Sequence, residues 1–358
     1  MNFLPLTPDH AKEWDDIVLN SDDAWMFHLY DWLPLTEQAW NLESHSFLVE
    51  SEGRLVGVFP LQKRKGSRIL RSTFMGLGGP AVRNGIPEGL RSKVLHAMHT
   101  HAETLARESG CVSMEAHLPA LSKTTLASRW QVNPLVNESH EDISTHTWMV
   151  DLTVPEDVLL SNCSYDARRS IRKATEAGYT IAPVRSVEDM HKYYDIHCET
   201  RRRTGVEPHP EQYFMGCYEV FCRRGYAATW KALDRNGEQV AFEMIGLFGK
   251  GALYWAGCCR TEHMDSGVNY LLQHHSMLWA KKQGAEWFEN GEAFPNVREG
   301  KLRGLTVFKG KFGGTLHRVF KGRLMVPVGE VTGKRTVARL IVAMLRRISR
   351  RFQQETRP

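Results

Sequence analysis

The chain has no apolar run approaching the ~20 residues that cross a bilayer. Its start, MNFLPLTPDHAKEWDD, lacks a basic segment followed by an apolar one. Both absences lead to the expectation of a protein made and kept in the cytoplasm. No C-x-x-C pair occurs among the seven cysteines, whose tightest spacings are Cys258–Cys259 and Cys217 to Cys222. Adjacent cysteines rarely bridge because a disulfide needs converging Cβ vectors, so free thiols are expected. Neither G-x-S-x-G nor a Walker sequence is present, which leaves serine hydrolases and P-loop NTPases without support. No complete set of metal ligands stands out either. His96 and His99 share a helix face that His101 does not join, and no nearby cysteine or carboxylate completes a zinc set, so no metal is expected.

The body of the chain also lacks an excess of either charge. The formal net charge is +5, but Lys334 to Pro358 carry eight basic residues and one acidic, which leaves −2 for residues 1–333. The basic character belongs to a tail.

What is present is a globular balance, 42% apolar and 24% charged, in 358 residues, a length that suits two domains of roughly 150 to 200 residues. SFLVESEGRLVGVFPLQKRKG reads as a hairpin turning at Glu52-Gly53. In STFMGLGGPAV, Gly76, Gly78 and Gly79 mark a bulge or a close backbone approach. Residues 88–110 carry Leu90, Val94, Leu95, Met98, Ala102 and Leu105 at helical spacing, and CVSMEAHL follows as a buried strand. The second half repeats this grammar. Helices are expected from Ser164 to Gly178 and through 186–205. Three strands follow in YAATWKALDR, QVAFEMIGLFG and GALYWAGCCR, then a helix from about Val268 to Gln283 and the strand EWFENG. The polar stretch 133–152 divides an α/β (α+β) half at 1–150 from another at 151–330, with 331–358 as a separate tail.

Chemistry concentrates in the second half. RTEHMDSGVN, residues 260–269, joins a strand to a helix, and such a turn aims backbone N–H groups and the positive helix end at an anion. Arg260, Ser266, Gly267, Val268 and Asn269 are therefore candidates for holding the pyrophosphate of a donor such as acyl-CoA, against an ordinary loop. In GLTVFKGKFGG, residues 304–314, an extended conformation would put Lys309 and Lys311 on one face. A lysine there could stabilise a phosphate or an oxyanion; the alternative is a basic edge strand. Glu243, alone in an apolar strand, would have a raised pKa suited to accepting a proton from an amine, unless it merely pairs with an arginine. Tyr254 and Glu289, on neighbouring strands, are similar candidates. Arg168, Arg169, Arg172 and Lys173 form either a solvated helix face or a site for an anionic acceptor.

ARRSIRKATEAG, GVNYLL…WAKKQGAEWFENG and GLTVFKGKFGG together resemble the Fem family of peptidoglycan-bridge aminoacyltransferases and their FemAB-like GNAT relatives. The likeness spans roughly residues 150 to 320. Its most specific part is F-K-x-x-F-G-G: Phe308, Lys309, Phe312, Gly313 and Gly314. VFPLQKRKG and TFMGLGGPAV, with Gly78 and Gly79, extend it into the first half. The resemblance implies two GNAT domains in tandem, each a mixed, mostly antiparallel sheet flanked by helices, with the acceptor in the cleft between them. It assigns a catalytic role to Lys309 and places Phe308, Phe312, Gly313, Gly78 and Gly79 at the acceptor. Two departures, the missing long helical hairpin and the near-neutral body, favour acyl-CoA over aminoacyl-tRNA as donor. The expected activity is N-acyl transfer to an amine of a small, anionic cell-envelope or polysaccharide precursor such as a nucleotide-sugar. Fem-type transfer from aminoacyl-tRNA to a peptidoglycan precursor is the alternative. A non-catalytic, membrane-recruited binding module is the third.

The tail from Thr336 to Phe352 places Val337, Leu340, Ile341, Met344, Leu345, Ile348 and Phe352 on a helical stripe opposite Arg339, Arg346 and Arg350. Such an amphipathic helix docks on its own protein or on an anionic membrane surface. The membrane reading predicts that the full chain co-sediments with anionic liposomes, less so in high salt, and that a chain ending at Gly333 stays in solution. A truncated chain that melts lower with unchanged liposome partition would instead show that the tail docks on the protein.

Overall fold

The computed structural model describes residues 1–66, 72–128 and 130–327. The expected basic helix at 331–358 lies outside the described residues. Two α/β units are formed, each with mixed, mostly antiparallel sheet flanked by helices. In the first, Phe47–Ser51 and Arg54–Phe59 make the hairpin, with Glu52 and Gly53 both at positive φ as its two-residue turn requires. They join Asn2–Pro5 and Ala81–Val82 in a four-stranded sheet. Thr73–Gly76 and Ser113–His117, paired in parallel, centre a six-stranded sheet. The helix Glu88–Glu108 buries the expected stripe at Val94, Met98 and Ala102.

The second unit is a seven-stranded sheet in the order Thr180–Pro183, Ala227–Leu233, Gln239–Phe248, Gly251–Cys259, Trp287–Ala293, Thr145–Asp151, Thr315–Val319. Helices Tyr165–Glu176 and Val268–Lys282 pack against one another. The expected caps are in place: Ser164 Oγ accepts from the Ala167 N–H, and Gly205 ends the helix Val187–Thr204 in the left-handed region.

Two strands cross the division read from the sequence. Thr145–Asp151 pairs with Trp287–Ala293 and Thr315–Val319, although it lies in the polar stretch taken as a boundary. Lys321–Met325 returns to the first unit and pairs with Ser113–His117. The units also share a core, in which Trp14, Trp25, Met26, Leu29 and Trp32 pack with Tyr193, Phe214, Phe221, Phe242 and Met244. Trp32 lies 5.7 Å from Trp255 and 6.0 Å from Tyr213, ring centre to ring centre. Sequence reading sees each element's own periodicity and cannot see a strand lent to the other sheet.

One local expectation is corrected. Residues Gly300–Gly310 are a helix, not an extended segment, so Lys309 and Lys311 do not share a face. Thr306 and Lys309, three apart, form the buried stripe. Lys311, just beyond the helix, is partly exposed and pairs with Asp166 at 3.2 Å. The alternating pattern at 306–312 imitated period 2 because both lysines were read as polar, whereas Lys309 is buried. No helix among the described residues is long and apolar enough to cross a membrane.

Phe312, fully buried, closes an aromatic cluster with Phe308 at 5.2 Å and Tyr270 at 5.6 Å. Phe312→Ala should therefore destabilise the protein by about 3–5 kcal/mol in urea unfolding, as a truncated core aromatic does.

Candidate functional site

The strands Gly251–Cys259 and Trp287–Ala293 are parallel neighbours only at Gly251–Trp287, Ala252–Phe288 and Leu253–Glu289. Beyond that register they are no longer paired, and the Lys309 side chain lies between them, on the Glu292 carbonyl of one and near the Tyr254 ring of the other. A register shift where Met244 and Ile245 meet Ala256 and Tyr254 bends the first strand at the same level. A wedge opens between the two strands.

Lys309 fills the base of that wedge. Its backbone carbonyl, one of those a helix C-terminus leaves without an intrahelical partner, accepts from Asn290 Nδ2 at 3.1 Å. Asn290 Oδ1 in turn accepts from Gln273 Nε2 at 2.9 Å. All three residues are buried. The Lys309 ammonium donates to the Glu292 carbonyl at 2.7 Å and lies 5.9 Å from the centre of the Tyr254 ring. Gly291, at φ 71°, leaves the space the ammonium occupies: a Cβ there would stand 3.1 Å from Nζ.

The surroundings shift several of the ionisable groups here. Burial lowers the Lys309 pKa to about 8, against the pull of Glu289 and Glu292. Burial raises Glu289 to about 7, opposed by Thr147 and by Lys309. Glu292 is held below its usual range despite burial, chiefly through its bond to Lys321 at 2.8 Å. Glu243 is buried on the strand Gln239–Phe248 and raised to about 8 by desolvation, with the Ser276 hydroxyl opposing. Tyr254 is pushed far up, mainly by burial.

A cavity of about 150 Å³ opens over Glu289 between the two units. The first unit contributes Trp25, Phe27, Leu77, Gly78, residues 117–121 and Lys321 of the returning strand; the second contributes Leu253, Glu289 and Val319. A larger cavity, about 460 Å³, lies beside the helix Glu88–Glu108 and contains none of the groups of the wedge.

The residues expected from sequence are placed as follows. Lys309 and Tyr254 meet in the wedge, and Glu243 lies close enough to Tyr254 to influence its ionisation. Gly78 lines the interdomain cavity, with His28 filling the place of its absent side chain; Gly79 abuts the His117 carbonyl. Phe308 and Phe312 pack with Tyr270, and Gly313 abuts the Asn162 carbonyl. Arg168 donates to the carbonyls of Ser161 and Cys163, tying its helix to the preceding one, while Arg169 and Arg172 are exposed.

The turn at 260–269 is closely packed. Arg260 pairs with Glu199 at 3.1 Å, and the Thr261 N–H donates to the same carboxylate. The Val268 N–H donates to Ser266 Oγ, and the Asn269 side chain engages the Cys259 thiol. Gly267, at φ 88°, is required by the helix below: a Cβ would stand 2.3 Å from the Ser170 carbonyl oxygen. The histidines of Glu88–Glu108 separate, His96 to Glu138 and His101 to Phe3. No group of residues able to hold a metal occurs among the described residues.

Sequence reasoning missed Gln273, Asn290, Gly291, Glu292 and Lys321. For Asn290 to Glu292 a signal existed: two carboxylates flank Asn-Gly inside ENGE, where a buried strand would be apolar. Lys321 gave none, since its position depends on a strand returning to the other sheet.

Residues 161–295 match the family model described as an acetyltransferase (GNAT) domain. No significant match was found among curated proteins. The crystal structure of FemX superimposes with a TM-score of 0.67 at 14% identity, over 91% of this chain and 97% of that one. A tandem GNAT protein from the clavulanic acid biosynthesis pathway gives 0.58 at 14%, over 92% and 99%. L-PGS from Bacillus licheniformis gives 0.56 at 14%, over 97% and 98%. At such identities these likenesses establish the fold, and the family match establishes the domain. Residues 161–295 carry a GNAT acetyltransferase domain, set in a chain whose fold is that of FemX and of tandem GNAT proteins.

Proposed function

We propose that the protein transfers an acyl group to an amine at the mouth of the strand wedge. The observation that carries this reading is the buried Lys309 ammonium at the point where the two parallel strands part, beside Glu289 on the cavity floor. The amine enters from the interdomain cavity and gives a proton to the Glu289 carboxylate. Its nitrogen attacks the donor carbonyl, and the Lys309 ammonium stabilises the oxyanion that forms. The oxyanion collapses, the C–S or C–O bond to the donor breaks, a C–N bond remains, and the leaving group takes up a proton. No covalent enzyme intermediate and no metal is required.

Two donors suit this centre. The GNAT domain match favours acyl-CoA. The packing at 260–269 favours an activated aminoacyl ester such as aminoacyl-tRNA, because Glu199 neutralises Arg260 and the Ser170 carbonyl abuts Gly267 where a pyrophosphate would have to approach. Calorimetric titration with acetyl-CoA separates them. Binding in the micromolar range selects the first, and absence of binding together with transfer from aminoacyl-tRNA selects the second.

With Glu289 needed as carboxylate and Lys309 as ammonium, kcat/KM should rise with pH through about 7 and fall above about 8. Glu289→Gln should remove the rising limb. Lys309→Ala should lower kcat by about two orders of magnitude, the usual effect of losing one oxyanion donor. Unchanged turnover in Lys309→Ala excludes the lysine from the reaction.

Glu243 is assigned a different part. Its pKa, raised from 4.5 to about 8, means that the fold prefers the neutral acid, so stability falls as pH rises from 4.5 through 8. Glu243→Gln should remove that dependence, melting progressively above the parent from pH 5 to pH 9 while retaining the rising limb of the activity profile. Loss of that limb in Glu243→Gln would transfer the base role from Glu289 to Glu243.

A further inference from the structure

The cavity between the units has an apolar wall that includes Trp25, Phe27, Leu77, Leu253 and Val319. Into it are set one carboxylate, Glu289, and one ammonium, Lys321, with the His117 imidazole. Glu289 has no direct ion-pair partner among the described residues, whereas Lys321 is already paired with Glu292. Lys321 bonds to Glu292 Oε1 at 2.8 Å, which engages one of the three donors of an ammonium group. Glu292 is itself 42% exposed, so water screens its share of that interaction. Lys321 is also well placed mechanically, at the start of the strand that crosses from the second sheet into the first.

A ligand that satisfies this lining needs an ammonium for Glu289, a carboxylate for Lys321 and an apolar remainder. The volume, about 150 Å³, equals the liquid volume of about five waters, room for a compact end group. We propose that the acceptor is an α-amino acid with an apolar side chain: its amine faces Glu289 and the wedge, and its carboxylate is held by Lys321. This rests on the acyl-transfer reading and narrows the acceptor to one class, with an N-acyl amino acid as product. The carboxylate takes no part in the bond changes. It fixes the amine in position, through a charge-assisted contact that a simple amine cannot make.

The test measures binding without a donor, by calorimetry at pH 7 with L-leucine, 3-methylbutylamine and 3-methylbutanoate. Leucine should bind at least tenfold more tightly than either analogue that lacks one charge. Lys321→Met should bring leucine to the level of 3-methylbutylamine, and Lys321→Arg should keep the preference, with melting curves verifying that both variants fold. Equal binding of the three ligands, or an undiminished preference in folded Lys321→Met, overturns the proposal. Should leucine bind selectively while no donor yields an amide, acyl transfer fails and the amino-acid site stands. Should 3-methylbutylamine be acylated as readily as leucine with no difference in binding, acyl transfer stands and the amino-acid site fails.

Discussion

A buried ammonium held between two strands that no longer pair is the constraint around which the second unit is organised. Desolvating Lys309 is unfavourable, and the fold offsets it with a carbonyl, an aromatic ring and two nearby carboxylates. Asn290 makes that arrangement rigid, because one amide joins the helix Val268–Lys282, the strand Trp287–Ala293 and the end of the helix Gly300–Gly310. Each of those elements must be in register before the lysine can reach its place. Burial also lowers the pKa of the lysine to about 8 and raises that of Glu289 to about 7.

The first unit serves this centre by closing it. Trp25, Phe27 and Leu77 form the far wall of the cavity over Glu289, and the apolar core shared with Tyr193, Phe242 and Met244 holds that wall in position. Strands exchanged in both directions add main-chain hydrogen bonds to the packing. An interface built this way does not depend on surface charge pairs, which contribute little.

The glycines of F-K-x-x-F-G-G have a packing role that the structure makes plain. Gly313 and Gly314 abut the carbonyls of Asn162 and Met149, and Phe312 is core. These residues set where the helix bearing Lys309 ends. Of the motif, the lysine alone reaches the wedge.

Several features of the protein follow from the sequence by itself. Alternation and helical spacing specified the hairpin at Glu52-Gly53, the helices from Ser164 and Ser186 and the run of three strands, because those patterns report local burial. The F-K-x-x-F-G-G motif singled out Lys309, and isolated charge in apolar strands singled out Glu243 and Glu289. Tertiary structure decided the rest. It made residues 300–310 a helix, lent strands across the two sheets, and used the turn at 260–269 to pack one helix on another. It also put Glu289, Lys321 and Gly78 around one cavity. Those outcomes depend on contacts between residues far apart in the chain, and periodicity carries no information about which distant element will cover a given face.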